Sequence, residues 1–158
     1  MRTRTANWFE TKIKYQKTME DGSEKVVSEL YVVDAMTCTE AENKVIDEMS
    51  AYISGANKVT RTSEAAFSEV FFSDNDEDDK WYKAKLQFIT LDEKTEKERR
   101  TNVTYLVQAK SLARALRYID DVMGKTMIDY DTVGLNETKV MDVFEPSSPS
   151  DEKKNDNE

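Results

Sequence analysis

The stretch "NWFETKIKY" at residues 7–15 returns as "KWYKAKLQF" at 80–88, and the match does not stop there. Trp8-Phe9 aligns with Trp81-Tyr82, Lys12-Ile13 with Lys85-Leu86, and Tyr15 with Phe88, all at a spacing of 73. Tyr31-x-Val33-x-Ala35 aligns with Tyr105-x-Val107-x-Ala109, and Met49 with Met123, at 74. Val70-Phe71 and Val143-Phe144 fall back to 73. Self-similarity held to one residue over such a length marks a repeated supersecondary unit, and a unit this small cannot bury enough apolar surface alone.

Each copy carries the same order of local signals. In the first, Trp8 to Thr18 and Lys25 to Val33 read as strands around Asp21-Gly22, a hairpin turn signal because glycine tolerates positive φ. Thr37-Cys38-Thr39-Glu40 is a capping-box pattern. Behind it Ala41, Val45, Ile46, Met49, Tyr52 and Ile53 recur at helical spacing up to Gly55. "AAFSEVFF", residues 65–72, is the closing strand. In the second copy Trp81 to Leu91 and Arg99 to Val107 form the hairpin. Ser111 caps a helix that ends at Gly124, and residues 138–145 close the unit. The expected fold is α+β: a single domain over residues 1–145 made of two tandem ββαβ repeats, about 7–72 and 80–145. They are related by a pseudo-twofold, share one antiparallel sheet or one core, and pack two main helices on one side. Residues 146–158, "PSSPSDEKKNDNE", lack large apolar side chains and hold both prolines, so a disordered acidic tail is expected.

"NWFETKIKYQKTMEDG", "YVVDAMTCTEAE", "FSEVFFSD" and "KWYKAKLQFITLDEKT" together resemble a domain-of-unknown-function family, numbered 4494, of small proteins from gut anaerobic bacteria and their phages. The resemblance covers residues 3–145. It implies a small cytoplasmic protein of bacterial or phage origin and carries no activity, cofactor or catalytic residue.

Composition narrows the chemistry. There is no histidine, which removes the commonest general base and metal ligand. The single cysteine, Cys38, excludes an intrachain disulfide and fits a reducing cytoplasm. It sits at a helix start and is read as a packing residue. The four glycines build no phosphate-cradling loop. No stretch approaches the ~20 apolar residues of a membrane span, and no apolar run follows the N-terminus as a secretory signal demands. Net charge is −9, concentrated in the run 74–79 and the tail. Asp74, Asp76 and Asp78 have the opening spacing of a calcium loop, but Asp79 and Lys85 stand where glycine and glutamate are required, so a solvated loop is expected. Asp120, Asp121, Asp129 and Asp131 read as a charged helix end and loop.

The repeated opening strands are the best functional clue. Alternate residues of a strand face opposite ways. Phe9, Thr11, Ile13 and Tyr15, and in the second copy Tyr82, Ala84, Leu86 and Phe88, form the core-facing set. The other set places Trp8 with Glu10, Lys12, Lys14 and Gln16, and Trp81 with Lys83, Lys85 and Gln87, while Arg99 and Arg100 add charge from the returning strand. A basic face with flat rings binds single-stranded nucleic acid by stacking and phosphate contacts. The expectation is therefore a non-enzymatic binding module with single-stranded DNA or RNA as candidate partner. Its site is Trp8, Lys12, Lys14, Trp81, Lys83, Lys85, Arg99 and Arg100, with no catalytic or metal-ligating residue and no cofactor. The alternative is a protein-interaction or inhibitor protein acting through the acidic loop or a sheet edge, which also makes a homodimer conceivable. On the first reading the tryptophans are exposed, and on the second they are buried.

Overall fold

The computed structural model describes residues 1–145, and the tail expected over 146–158 lies outside the described residues. Nine strands and two helices follow in the order β1 (Arg2–Thr5), β2 (Trp8–Thr18), β3 (Glu24–Asp34), α1 (Cys38–Met49), β4 (Asn57–Glu64), β5 (Glu69–Phe72), β6 (Lys80–Leu91), β7 (Glu98–Ala109), α2 (Leu112–Met123), β8 (Asp129–Glu137) and β9 (Val140–Phe144). The class is α+β.

The chain divides into two compact units: residues 1–6 with 65–141, and residues 7–64 with the described residues from 142 on. The first holds a sheet in the order β1-β5-β7-β6-β8, the second a sheet in the order β4-β2-β3-β9. Three expectations change. Each half runs ββαββ instead of ββαβ, because β4 and β8 stand between the helix and the closing strand. There are two sheets instead of one, and they are not purely antiparallel, since β5 runs parallel to β7. The closing strands also leave their own half. β5 joins the sheet of β6 and β7, and β9 joins that of β2 and β3. Neither half of the sequence therefore completes a sheet by itself.

Within each unit the central hairpin has the same logic. Phe9 pairs with Val33, Thr11 with Tyr31 and Ile13 with Glu29. Tyr82 pairs with Val107, Ala84 with Tyr105 and Leu86 with Val103. Paired residues share a face, and the helix covers it. Ala41, Val45 and Met49 of α1 pack with Phe9, Ile13, Tyr15, Tyr31 and Val33. Ala115, Ile119 and Met123 of α2 pack with Tyr82, Ala84, Leu86, Tyr105 and Val107. Each fully buried large side chain contributes about 1.5–3 kcal/mol. The helices start where their caps dictate: the Thr37 hydroxyl accepts the Glu40 N–H, and that of Ser111 accepts the Arg114 N–H. Gly124 ends α2 as expected, whereas α1 stops at Met49, four residues short of its apolar periodicity. Gly22 takes φ 84° in the β2–β3 turn, the conformation that turn needs.

One helix-facing core position is acidic. Glu29 is buried on the helix-facing side, where the corresponding residue beside Leu86 is Val103. The Tyr15 hydroxyl makes a short hydrogen bond to its carboxylate, and the Tyr31 hydroxyl donates a longer one at 3.4 Å. Phe144 stacks on Tyr31 at 5.2 Å. Burial first, then the hydrogen bond and charge of Glu29, push the Tyr15 phenol up to about 12, and burial and Glu29 raise Tyr31 as well. A buried carboxylate is costly once a partner is removed, yet an apolar replacement of the whole pair is often neutral. Tyr15→Phe is expected to cost about 1–3 kcal/mol, and Tyr15→Phe with Glu29→Val to recover most of it. Urea unfolding of the double-mutant cycle measures this; additive losses would show that the pair is not coupled.

Candidate functional site

The side of each sheet away from its helix carries the lysines. In the unit of β2, β3 and β4, Lys12 lies between Leu30 and Arg61, and Lys14 between Ser28 and Lys58. All four cations are exposed. None is within ion-pair distance of a carboxylate among the described residues. Alternate residues along a strand are about 6.8 Å apart and adjacent strands about 4.8 Å, so the cations form a two-by-two array. Lys58 and Arg61 were not legible as site residues, because β4 was not legible as a strand. The array has an irregular edge: the register shifts opposite Lys12 and Ile13, leaving Thr60 as the extra residue, with its hydroxyl 3.4 Å from the Lys12 carbonyl.

The unit of β6, β7 and β8 is different. Lys83 lies between Leu106 and Asn136, and Lys85 between Thr104 and Gly134, both exposed and without an ion pair among the described residues. Arg100 shares their face through its pairing with Ile89, but it is held there. Its guanidinium bonds Asp131 at 2.8 Å, Gln87 at 3.2 Å and Glu98 at 3.4 Å, and the two carboxylates hold its pKa above the ordinary value, the Asp131 bond most of all. Arg99 pairs with Thr90 and turns to the opposite face. Of the eight residues expected to form one surface, Lys12 and Lys14 stand together, as do Lys83 and Lys85, Arg100 is neutralised, and Arg99 points away.

The tryptophans do not join either surface. Trp8 and Trp81 are each 2% exposed, and Trp81 meets Phe72 edge-on at 5.8 Å. Their rings share the lysines' face but lie at its covered end, so they offer no platform on which a base can stack.

The acidic run is not uniformly solvated. Asp78 is 2% exposed. It takes a short bond from Ser73, one from Tyr118 at 2.5 Å and the Lys110 N–H at 2.9 Å, with the Arg114 guanidinium 3.9 Å away. Burial alone would raise this carboxyl. The hydrogen bonds and Arg114 outweigh it and hold the pKa below the usual range. Asp74 pairs with Arg2, and Glu77 with Lys110 and Arg114. Asp78 thus moors the loop to the start of α2. Asp120 accepts a bond from the Tyr130 hydroxyl. Among the described residues no three acidic or cysteine side chains converge as metal ligands, and no helix is long and apolar enough to cross a membrane.

A depressed carboxylate pKa stabilises the fold above the unfolded value, near 3.9, and that stability is lost as pH falls through the lower folded value. Asp78→Asn is expected to cost about 1–3 kcal/mol at neutral pH and to flatten the acid limb of a stability–pH profile. An unchanged acid limb would show that other carboxylates set it.

The model of a domain of unknown function, DUF4494, matches residues 7–147 of the chain. No curated protein and no solved structure matches it.

Proposed function

The chain belongs to the DUF4494 family, which brings no activity with it, and we propose from its own surface that it is a non-enzymatic module of the cytoplasm that binds single-stranded nucleic acid through the phosphate backbone. The observation that carries this reading is the array of Lys12, Lys14, Lys58 and Arg61. Four exposed cations stand together without ion pairs among the described residues, in a chain with 32 acids and 23 bases. Lysines and arginines that meet phosphates release condensed counterions, and this gives affinity without base identity. A flat face with a repeat of about 6.8 Å along the strand suits one extended backbone better than the groove of a duplex. With the tryptophans buried, stacking drops out. Binding is then sequence-independent and governed by salt. Lys83 and Lys85 are a secondary contact, since Arg100 beside them is already neutralised.

The alternative, a protein partner, has one observation in its favour, the burial of both tryptophans. A partner that pairs with a sheet edge meets obstacles, however. β1 and β9 are only 4 and 5 residues long, and β4 and β8 each carry a register shift. Short and bulged edges resist strand addition.

Fluorescence anisotropy of a labelled oligodeoxythymidine and its RNA counterpart tests the proposal. Four phosphate contacts predict a log–log salt dependence with a slope of roughly −3, from about 0.7 per contact on a single strand. Lys12→Gln with Lys14→Gln is expected to halve that slope, about as much as Lys58→Gln with Arg61→Gln. Lys83→Gln with Lys85→Gln is expected to change it less. A flat titration near 50 mM salt would end the nucleic-acid reading, because attraction is strongest there.

A further inference from the structure

We propose that the nucleic acid this face takes is RNA, and that the Thr60 hydroxyl tells it from DNA by accepting a hydrogen bond from a ribose 2′-hydroxyl. The inference rests on the reading of Lys12, Lys14, Lys58 and Arg61 as a phosphate surface, and it adds what that surface alone does not supply. The array is made of donors only. Lysine and arginine side chains carry no acceptor, and a phosphodiester has nothing to donate. Such a pairing treats the two sugars alike. The 2′-hydroxyl, both donor and acceptor, is the group that separates RNA from DNA. To use its proton, a protein must place a neutral acceptor among the cations.

The bulge in β4 places Thr60 there. Val59 lies opposite Ile13, and the Thr62 hydroxyl donates to Glu42 of α1 at 3.2 Å, so both face the helix. Thr60 and Arg61 stand between them, where a regular strand has room for one residue, and both turn to the array side. Thr60 is exposed. Its hydroxyl donates to the Lys12 carbonyl at 3.4 Å, a long bond where about 2.7–2.8 Å is usual. A threonine hydroxyl has one proton and two lone pairs. With the proton turned to Lys12, the lone pairs remain for an outside donor. In RNA the 2′-hydroxyl sits on the carbon beside the one that carries the 3′-phosphate, so its acceptor has to stand next to a phosphate cation. Thr60 stands one strand spacing, about 4.8 Å, from Lys12. Ser28, exposed and opposite Lys14, offers a second hydroxyl on the other side of β2.

The bulge itself does not need a hydroxyl. The register shift in β8 falls at the same place in the repeat, and the extra residue there is the exposed Val133. The backbone feature is thus common to both units. The hydroxyl stands on the bulge that joins the four cations, and an apolar side chain on the other. Valine at this position is therefore compatible with the fold, which makes Thr60→Val a clean removal of the acceptor.

The full chain is titrated at low salt, by fluorescence anisotropy, with labelled oligouridine, oligodeoxyuridine and the 2′-fluoro and 2′-O-methyl forms of oligouridine. The 2′-fluoro form keeps the sugar pucker of RNA without the proton, and the 2′-O-methyl form keeps the oxygen without it. Oligouridine is expected to bind about two- to tenfold more tightly than the other three, the worth of one neutral hydrogen bond. Thr60→Val is expected to bring oligouridine down to the level of oligodeoxyuridine, and Thr60→Ser to keep the preference. Equal binding of oligouridine and oligodeoxyuridine by the unaltered chain, or a preference that survives Thr60→Val, would overturn the proposal and leave the nucleic-acid reading intact. A 2′-fluoro form bound as tightly as oligouridine would overturn it too, because pucker and not the proton would then be what is read. No binding of any of the four would end this inference together with the reading it rests on.

Discussion

The register of the two central hairpins is the constraint on which the rest depends. Ile13 opposite Glu29 and Leu86 opposite Val103 fix which side chains meet the helices. A slip of one residue would exchange faces and drive Lys12, Lys14, Lys83 and Lys85 under α1 and α2. Burial of a single unpaired ammonium costs several kcal/mol after relaxation, so the slip is forbidden four times over. The apolar set that holds each helix is thus what obliges the lysines to face away from it.

Charge then sorts itself over that frame. The chain is acidic, yet several of its carboxylates are committed. Asp78 and Glu77 hold the loop against α2, Asp131 holds Arg100, Asp74 holds Arg2, and Glu29 is enclosed by two tyrosines. The cation array on β2 and β4 forms no ion pair among the described residues. A net charge of −9 therefore says little about the sign of any one surface.

The hairpins and helix starts were legible because their signals are redundant. Alternation, an Asp-Gly turn and a cap all name the same boundary at Thr18, Thr37 and Ser111. β4, "NKVTRTSE", offers one large apolar residue, and β8 interrupts its alternation with Gly134. Both are edge strands that must satisfy one neighbour only, so their sequences are weakly constrained and carry no clear strand signal. The tryptophans exposed a different limit. Alternation assigns a face, not a depth. Trp8 and Lys12 share a face, but the strand passes from covered to open surface between them. Asp78 was hidden by its neighbours, since five carboxylates within six residues read as solvated and nothing in composition marks the one whose partners, Tyr118 and Lys110, lie over thirty residues away.

The two register shifts tie edge protection to the face. One falls opposite Lys12 and Ile13, the other opposite Lys85 and Leu86, the same place in each hairpin. A bulge adds a residue to the outer strand, increases its twist and breaks the row of amides and carbonyls that another strand would need. It also re-aims the side chains beside it. In β4 those side chains are Arg61 and Lys58, on either side of Thr60 and next to Lys12 and Lys14. The irregularity that closes this edge to a strand is therefore the one that brings two more cations to the face.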